Sequence, residues 1–540
     1  MDEATSVALP PSPAVGSSAV HDKLNKSPGK IGMAIFGVVL IAGLGYAVSQ
    51  LTHDLSGTHL ASVWPYVLLG LALFIALGFE FVNGFHDTAN AVATVIYTHT
   101  LEPHIAVVWS GMWNLIGVLT SSGAVAFTIL TLLPVELVLQ VGKGAGFAMV
   151  FALLIAAIIW NLSTWWFGLP ASSSHTLVGS IIGVGVANQL MSPKTGTSGV
   201  DWGQAANVFK ALLISPVVGF VCAALLLLLL KMLVKKPELY QSPKGDAPPP
   251  FWIRGLLVLT CTGVSFGHGS NDGQKGMGLI MLILIGTVPT AYALNHAVGY
   301  GQVQDFIAVS DEAANVLSHY VSPNAVITDA RSDLTDYIRT KDFNANTMLA
   351  ARQMIIEIRD EVREYKTLAA VPADQQSNVR NDMYVTDEAL RIMAKKGNPK
   401  FTSAENAVLA NYKKHLDLST KFIPLWVKVA VALALGLGTM VGWKRIVVTV
   451  GEKIGKEHLT YAQGASAELV AACTIIAADQ FHMPVSTTHI LSSGVAGTML
   501  ANGSGLQFST IRNIALAWVF TLPVAALLSA GIFWVLRQFI

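Results

Sequence analysis

The chain has 540 residues and a mass of 57.4 kDa, with 53% hydrophobic residues, 12% charged residues and a mean hydropathy of +0.55. Soluble chains carry about 25% charged residues, so an assembly of soluble domains is excluded and a membrane protein is indicated. A net charge of +1 supplies none of the basic surface that nucleic-acid binding needs, and no nucleic-acid partner is expected.

The charge is unevenly spread. Of the 67 charged residues, 32 fall in residues 298–421, leaving 35 for the other 416 positions. Cys222, Cys261 and Cys473 all lie in apolar stretches, which suggests neither a disulfide nor a zinc framework.

In chain order, residues 1–30 are rich in Pro, Ser and Ala and end on Lys23, Lys26 and Lys30; they read as a disordered cytoplasmic N-terminus. An apolar run at 31–49 is long enough to span a bilayer. It reads as an uncleaved transmembrane helix; a signal peptide cleaved after Ala47-Val48-Ser49 is the rival, disfavoured by the long leader. Further apolar segments place a first transmembrane repeat at 62–233, a cytoplasmic linker at 234–251, the first part of a second repeat at 252–297, and its remainder at 422–540. Within the second repeat the spans Trp252 to Phe266 and Met277 to Leu294 read as separate. Several pieces are short and interrupted by Gly and Ser. Such backbone is tolerated at membrane depth only where protein or a water cavity satisfies it. The expected fold is an all-α polytopic membrane protein with broken or re-entrant helices and about 10–13 transmembrane segments.

Lys and Arg in the short loops set the orientation. Lys235, Lys236, Lys244 and Arg254 in one loop, and Lys444, Arg445, Lys453 and Lys456 in another, put both in the cytoplasm with the N-terminus. The charged segment 298–421 then lies on the other side, in the periplasm of a Gram-negative cell. Its apolar residues Met348, Leu349, Met354, Ile355, Ile358 and Val362 recur at helical spacing. A helical extramembrane insertion is expected, acting as a cap or as a regulatory or partner-binding domain.

The chain repeats itself. Asn83-Gly-Phe-His-Asp-Thr-Ala-Asn-Ala91 matches His268-Gly-Ser-Asn-Asp-Gly-Gln-Lys-Gly276, setting Asp87 on Asp272 and Asn90 on Lys275. Pro170-Ala-Ser-Ser-Ser-His-Thr176 matches Pro484-Val-Ser-Thr-Thr-His-Ile490. Asp87 to His175 is 88 residues and Asp272 to His489 is 217, a difference of 129, about the length of the charged insertion. Two repeats of inverted topology, with substrate bound between them, are the plan of many secondary transporters.

The repeated segments carry the chemistry. Each Pro opens a fresh helical start whose first-turn N–H groups lack intrahelical partners. Ser172, Ser173, Ser174, Ser486, Thr487 and Thr488 add hydroxyls to those donors and form a cradle for a small oxyanion. Packing and helix capping by Ser and Thr is the alternative reading. Asp87 and Asp272 are intramembrane carboxylates, which sit by default at functional sites, and their Gly-rich surroundings suggest unwound segments. Two such charges about 4 Å apart repel by roughly 4 kcal/mol at an effective dielectric of 20, so a cation or proton must intervene. Asp87, Asn90, Asn271 and Asp272 offer oxygen ligands for a coupling ion, and Lys275 offers a fixed ammonium. Glu80 and Glu468 are proton carriers or paired interface charges. His86, His175 and His489 read as orienting hydrogen-bonding groups, since no His/Cys/Asp cluster has ligand spacing on one helix. Nothing serves nucleophilic catalysis or nucleotide binding, and no enzyme is expected.

At these residues the sequence resembles the inorganic phosphate transporter (PiT) family, whose duplicated signature is similar to Gly84-Phe-His-Asp-Thr-Ala-Asn-Ala91 and Gly269-Ser-Asn-Asp-Gly-Gln-Lys-Gly276. The resemblance runs from about Trp64 to the C-terminus; the helix at 31–49 looks like an addition. It implies an elevator-like carrier of phosphate, often homodimeric, in which Asp87, Asn90, Asn271 and Asp272 bind coupling cations and substrate and the two triplets contact phosphate. His86 and Lys275 stand where the family pattern has Asn. These departures favour the bacterial low-affinity type of the inner membrane, in which phosphate enters with a proton as a neutral magnesium or calcium complex, here expected to be held by Asp87 and Asp272. No permanently bound cofactor is implied, and arsenate should be accepted as an analogue. Sodium-coupled transport of phosphate, or of another oxyanion such as sulfate, is the alternative. A membrane sensor or scaffold that no longer transports is the distant one.

Overall fold

The computed structural model describes residues 18–539 apart from 27–28, 57–62, 88, 134–136, 139–143, 192–198, 244 and 246. The described residues form helices and no strand, as a bilayer demands of a chain that must satisfy its backbone internally. Of the N-terminal stretch expected to be disordered, residues 1–17 lie outside the described residues. Ser18–Asn25 instead form helix α1, because Leu24 is buried and Lys23 pairs with Glu102 at 3.3 Å.

The membrane helices are α2 (Lys30–Leu55), α3 (Trp64–Asp87), α4 (Ala89–Tyr97), α5 (Pro103–Thr120), α6 (Ala124–Leu130), α7 (Ala145–Trp166), α8 (Ser173–Met191), α9 (Trp202–Leu233) and α10 (Phe251–Thr287). After the short α11 (Pro289–Tyr292) come five helices of the insertion: α12 (Tyr300–Ser318), α13 (Ala330–Thr340), α14 (Thr347–Tyr365), α15 (Gln376–Lys396) and α16 (Ser403–Thr420). The chain returns through α17 (Leu425–Gly438), the short α18 (Lys444–Val448) with a π-helical turn at Thr449–Lys453, then α19 (Tyr461–Gln480), α20 (Thr487–Asn502) and α21 (Phe508–Leu536).

Among the described residues six helices are long and apolar enough to cross a membrane, or up to eight if two pairs bent by 77° and 76° each count as one span. The protein is a multi-pass membrane protein. Helices α8 and α10 fall outside those six because the polar residues of the site lower their hydropathy, and α20 because it has only 16 residues. The spans expected separately at 252–266 and 277–294 are one continuous helix, α10, of 37 residues. Its glycines, which suggested unwinding, serve close packing instead. A Cβ on Gly269 would lie 2.1 Å from Asn114 O, and one on Gly276 2.3 Å from Glu80 Cγ. Glycine here lets α5 and α3 approach the α10 backbone.

Burial divides the membrane part into two apolar clusters. One holds residues of α3 up to Phe79, of α7, α8 and α17, and Met277 to Ile285 of α10. The other holds α4 from Ala91, α19, α20, and Ile253 to Val264 of α10. Between the clusters, α10 and the α3–α4 junction carry their polar segments, Gly267 to Gly276 and Glu80 to Asp87. A buried polar layer therefore lies between two apolar ones.

The two rims are distinguishable by their contacts. One gathers the Lys23–Glu102 pair, Arg254 donating to Thr100 O at 3.1 Å, and Tyr97 donating to Glu452 at 2.7 Å. At the other, Asp54 at the end of α2 accepts from the Tyr292 hydroxyl at 2.5 Å and from Trp426 Nε1 at 3.1 Å. There too Arg391 of the insertion pairs with Asp201, the N-cap of α9, at 2.8 Å. The insertion packs around an apolar core of its own, including Phe306, Ile355, Met383 and Tyr412.

Candidate functional site

Helices α8 and α20 begin at Ser173 and Thr487, three residues after Pro170 and Pro484. Each start is capped in the same way: the N–H of His175 donates to Ser172 Oγ at 3.2 Å and the N–H of His489 to Ser486 Oγ at 3.1 Å. The capping hydroxyls satisfy donors that the first turn leaves unpaired. The first residue of each triplet is thus a cap, and the next two turn inward. The two starts touch: Ser174 Oγ donates to Val485 O at 3.0 Å, and the His175 and His489 rings lie 4.5 Å apart, with Trp518 stacked on His489 at 4.0 Å.

Asp87 is the last described residue of α3, and α4 resumes at Ala89. Its carboxylate accepts from Ser173 Oγ on one helix start and from Thr488 Oγ1 on the other, the latter at 2.7 Å. His86 lies beside it, with Nδ1 3.0 Å from Asp87 Oδ1 and Nε2 3.1 Å from Thr164 Oγ1. Asp272 lies within the unbroken α10, correcting the expectation of an unwound segment there. Lys275, one turn on, sets its Nζ 2.6 Å from Asp272 Oδ1 and also donates to Ser174 Oγ. All of these side chains are buried. Residues up to 401 apart in sequence, from four helices, therefore close on one polar centre in which Asp87, Asp272 and Lys275 sum to a formal charge of −1.

Asn271 holds the loop beside this centre, whose Val485 O also accepts from Ser174 Oγ. Its amide donates to Met483 O at 3.1 Å and accepts from the N–H of Val485 at 3.5 Å, so it clasps the loop that leads into α20. Asp479 reinforces the clasp, accepting from Ser270 Oγ at 2.7 Å and from Gln274 Nε2 at 2.6 Å. The side chain of Asn90 lies outside the described residues; its backbone is in the first turn of α4. Glu80 is fully buried, accepts from Asn83 Nδ2 at 3.3 Å, and keeps Oε1 without a hydrogen bond. Glu468, buried on α19, accepts from Thr94 of α4 and from Thr260 of α10, the latter at 2.5 Å. Thr487 Oγ1 is buried without a hydrogen-bond partner.

A model of the phosphate transporter family matches residues 83–529. The chain belongs to that family. It is 42% identical over 494 residues to the low-affinity inorganic phosphate transporter PitA of Escherichia coli (strain K12), covering 88% of this chain and 97% of that protein. It is 41% identical over 495 residues to PitB of the same strain, covering 88% and 98%. A probable low-affinity inorganic phosphate transporter of Bacillus subtilis (strain 168) is 27% identical over 473 residues, covering 87% and 98%. A solved structure titled the sodium-dependent phosphate transporter covers 88% of this chain and 100% of its own, with a TM-score of 0.48 at 17% identity.

The family match begins at Asn83, so both repeated segments lie within it and α2 lies outside. Four site residues were missed in the sequence: His268, Asn114, Thr164 and Asp479. His268 and Asp272 also stand four apart on α10, a spacing not singled out in the sequence. That spacing was legible only if Gly267 to Gly276 was read as helix, and its glycines argued otherwise.

Proposed function

We propose that this protein is a phosphate importer of the bacterial inner membrane that takes up hydrogen phosphate as a neutral complex with a divalent cation, magnesium or calcium, together with a proton. The charge of the buried centre carries the reading. With one net negative charge already present, a phosphate dianion alone would leave three uncompensated charges out of water, a state of prohibitive cost. A divalent cation entering with the dianion leaves the net charge unchanged. The inward hydroxyls Ser173, Ser174, Thr487 and Thr488 and the first-turn N–H groups of α8 and α20 then contact phosphate oxygens. Lys275 offers them an ammonium, and Asp87 and Asp272 face the cation. Glu80 and Glu468, buried beside this layer, are the carboxyls available to a proton.

A cavity of about 920 Å³ between α9 and α19, lined by Asn207, Lys210, His482, Met483 and Val485 among others, opens at the rim that bears the insertion. It ends on the loop that Asn271 clasps. We assign this rim to the periplasm, the cavity to the approach path of the substrate, and the insertion to a cap over that rim. The two matched halves act as inverted repeats, and the carrier works as a homodimer that also accepts arsenate.

The test is radiolabelled phosphate uptake into proteoliposomes holding this protein alone, under a proton gradient, a sodium gradient or neither, each with and without magnesium. Uptake that needs the proton gradient and rises with magnesium is expected. Uptake that follows sodium alone would keep the substrate and overturn the coupling. No uptake under any condition would favour a sensor or scaffold.

A further inference from the structure

Three ligand atoms converge between α3 and α10. One carboxylate oxygen each of Asp87 and Asp272 and one ring nitrogen of His268 lie within 4.8 Å of one another. The three residues are 4%, 0% and 2% exposed, so bulk water does not reach them.

His268 decides what can bind there. Asn114 Nδ2 donates to Ser110 O at 3.0 Å, which turns its Oδ1 toward His268 Nδ1 at 2.6 Å. An amide oxygen can only accept, so Nδ1 carries the ring proton and Nε2 of the neutral ring presents a lone pair. That nitrogen has no hydrogen-bond partner. It faces Asp272 Oδ2 at 3.8 Å, beyond hydrogen-bond range even for a protonated ring. The lone pairs of His268 Nε2 and Asp272 Oδ2 cannot satisfy each other, whereas a single cation placed between them satisfies both and is met by the carboxylate of Asp87 as well. Lys275 is not that cation: its ammonium sits at the other edge of Asp272, on Oδ1. The arrangement of Asn114 behind His268 is also that of a metal-ligating histidine, whose second nitrogen is held by an oxygen acceptor that fixes tautomer and ring.

We propose that His268, together with Asp87 and Asp272, ligates the divalent cation carried with phosphate and biases the transporter toward manganese and zinc over magnesium and calcium. The inference rests on the metal–phosphate reading above and deepens it. Imidazole suits borderline transition cations, while magnesium and calcium prefer oxygen throughout. One nitrogen in an otherwise oxygen site is therefore a selectivity element.

Manganese is the probe, because a directly bound imidazole imprints a nitrogen coupling on its pulsed electron paramagnetic resonance spectrum. Purified full-length protein receives one equivalent of Mn²⁺ in the presence of inorganic phosphate. Wild type should show the coupling, and His268→Gln should lose it along with at least about tenfold in Mn²⁺ affinity. The ratio of manganese- to magnesium-supported phosphate uptake should fall by a similar factor. Absence of the coupling in wild type overturns the proposal without any variant, so a substitution that fails to fold does not shield it. A coupling that survives in both His268→Gln and His268→Asn belongs to another histidine and overturns it equally. If wild-type uptake needs no divalent cation at all, the metal–phosphate reading itself fails. That result is separable, because the spectrum is read without transport.

Discussion

Ser172 and Ser486 occupy equivalent places 314 residues apart, each accepting the N–H of the histidine three positions on, at 3.2 and 3.1 Å. The shared cap fixes the two following hydroxyls of each triplet toward the same centre. Beyond the caps the triplets diverge. Ser173 and Thr488 donate to Asp87, whereas Thr487 Oγ1 has no hydrogen-bond partner.

Thr487 and Thr488 should therefore respond differently. Thr487→Val removes a hydroxyl whose expected partner is substrate, and should raise the KM for phosphate by about tenfold, the worth of one hydrogen bond of about 1.4 kcal/mol, with little change in Tm. Thr488→Val strips a donor from a buried carboxylate and should lower Tm as well. Equal KM values for Thr487→Val and wild type in transport assays would leave that hydroxyl a packing group.

Asp87→Asn and Asp272→Asn should each reduce uptake to the background of empty vesicles while the protein still reaches the membrane at normal level. The same volume is kept, but one unit of negative charge is lost from a centre that must attract a cation. Normal uptake in either variant, with immunodetection confirming equal amounts, would sink the assignment of this centre as the transport site.

Lys275 places a fixed positive charge 2.6 Å from Asp272 Oδ1. Lys275→Asn restores the residue that stands at the matching position of the first half, and should make phosphate uptake depend on sodium. Uptake by the variant that remains indifferent to sodium would retire the idea that the ammonium replaces a bound cation.

Two glycines of α10 should behave oppositely. A methyl group at Gly269 would meet the backbone oxygen of Asn114 at 2.1 Å, whereas one at Gly255 meets nothing within 4 Å. Gly269→Ala should cost about 1–3 kcal/mol through overpacking and displace His268 from Asn114. Gly255→Ala should be neutral or stabilise by up to about 1 kcal/mol. Thermal unfolding in detergent distinguishes them, and matching Tm values for the pair would contradict the packing account.

Asp387 links α15 to the end of the insertion, with Lys421 Nζ 3.0 Å from its carboxylate and Lys413 hydrogen-bonded to it as well. Burial opposes ionisation, but the two ammonium groups outweigh it and hold the carboxyl below its ordinary value. A depressed carboxyl contributes stability that is fully present above the unfolded value of about 3.9 and is lost as pH falls through the folded one. Limited proteolysis of the full-length protein should show the insertion opening below about pH 4. Asp387→Asn should weaken it at neutral pH and flatten that pH dependence; an unchanged acid profile would place the sensitive group elsewhere.

What the sequence determined by itself is local or periodic. Length, hydropathy and the clustering of charge in 298–421 suffice for a multi-pass helical protein with a helical insertion, because bilayer and water select residues by composition. The matched segments pointed to Asp87, Asp272, Lys275 and the triplets, because intramembrane carboxylates and Pro-Ser/Thr starts are conspicuous against apolar surroundings. Tertiary structure decided the rest. Glycine permits both unwinding and close packing, and only the presence of α5 and α3 against Gly269 and Gly276 shows that α10 stays helical. The ring proton of His268 is set by Asn114, 154 residues away, and the amide of Asn271 is taken up by Met483 and Val485, more than 200 residues on. A side chain's partners depend on which helices arrive beside it, and that information is spread across the whole chain.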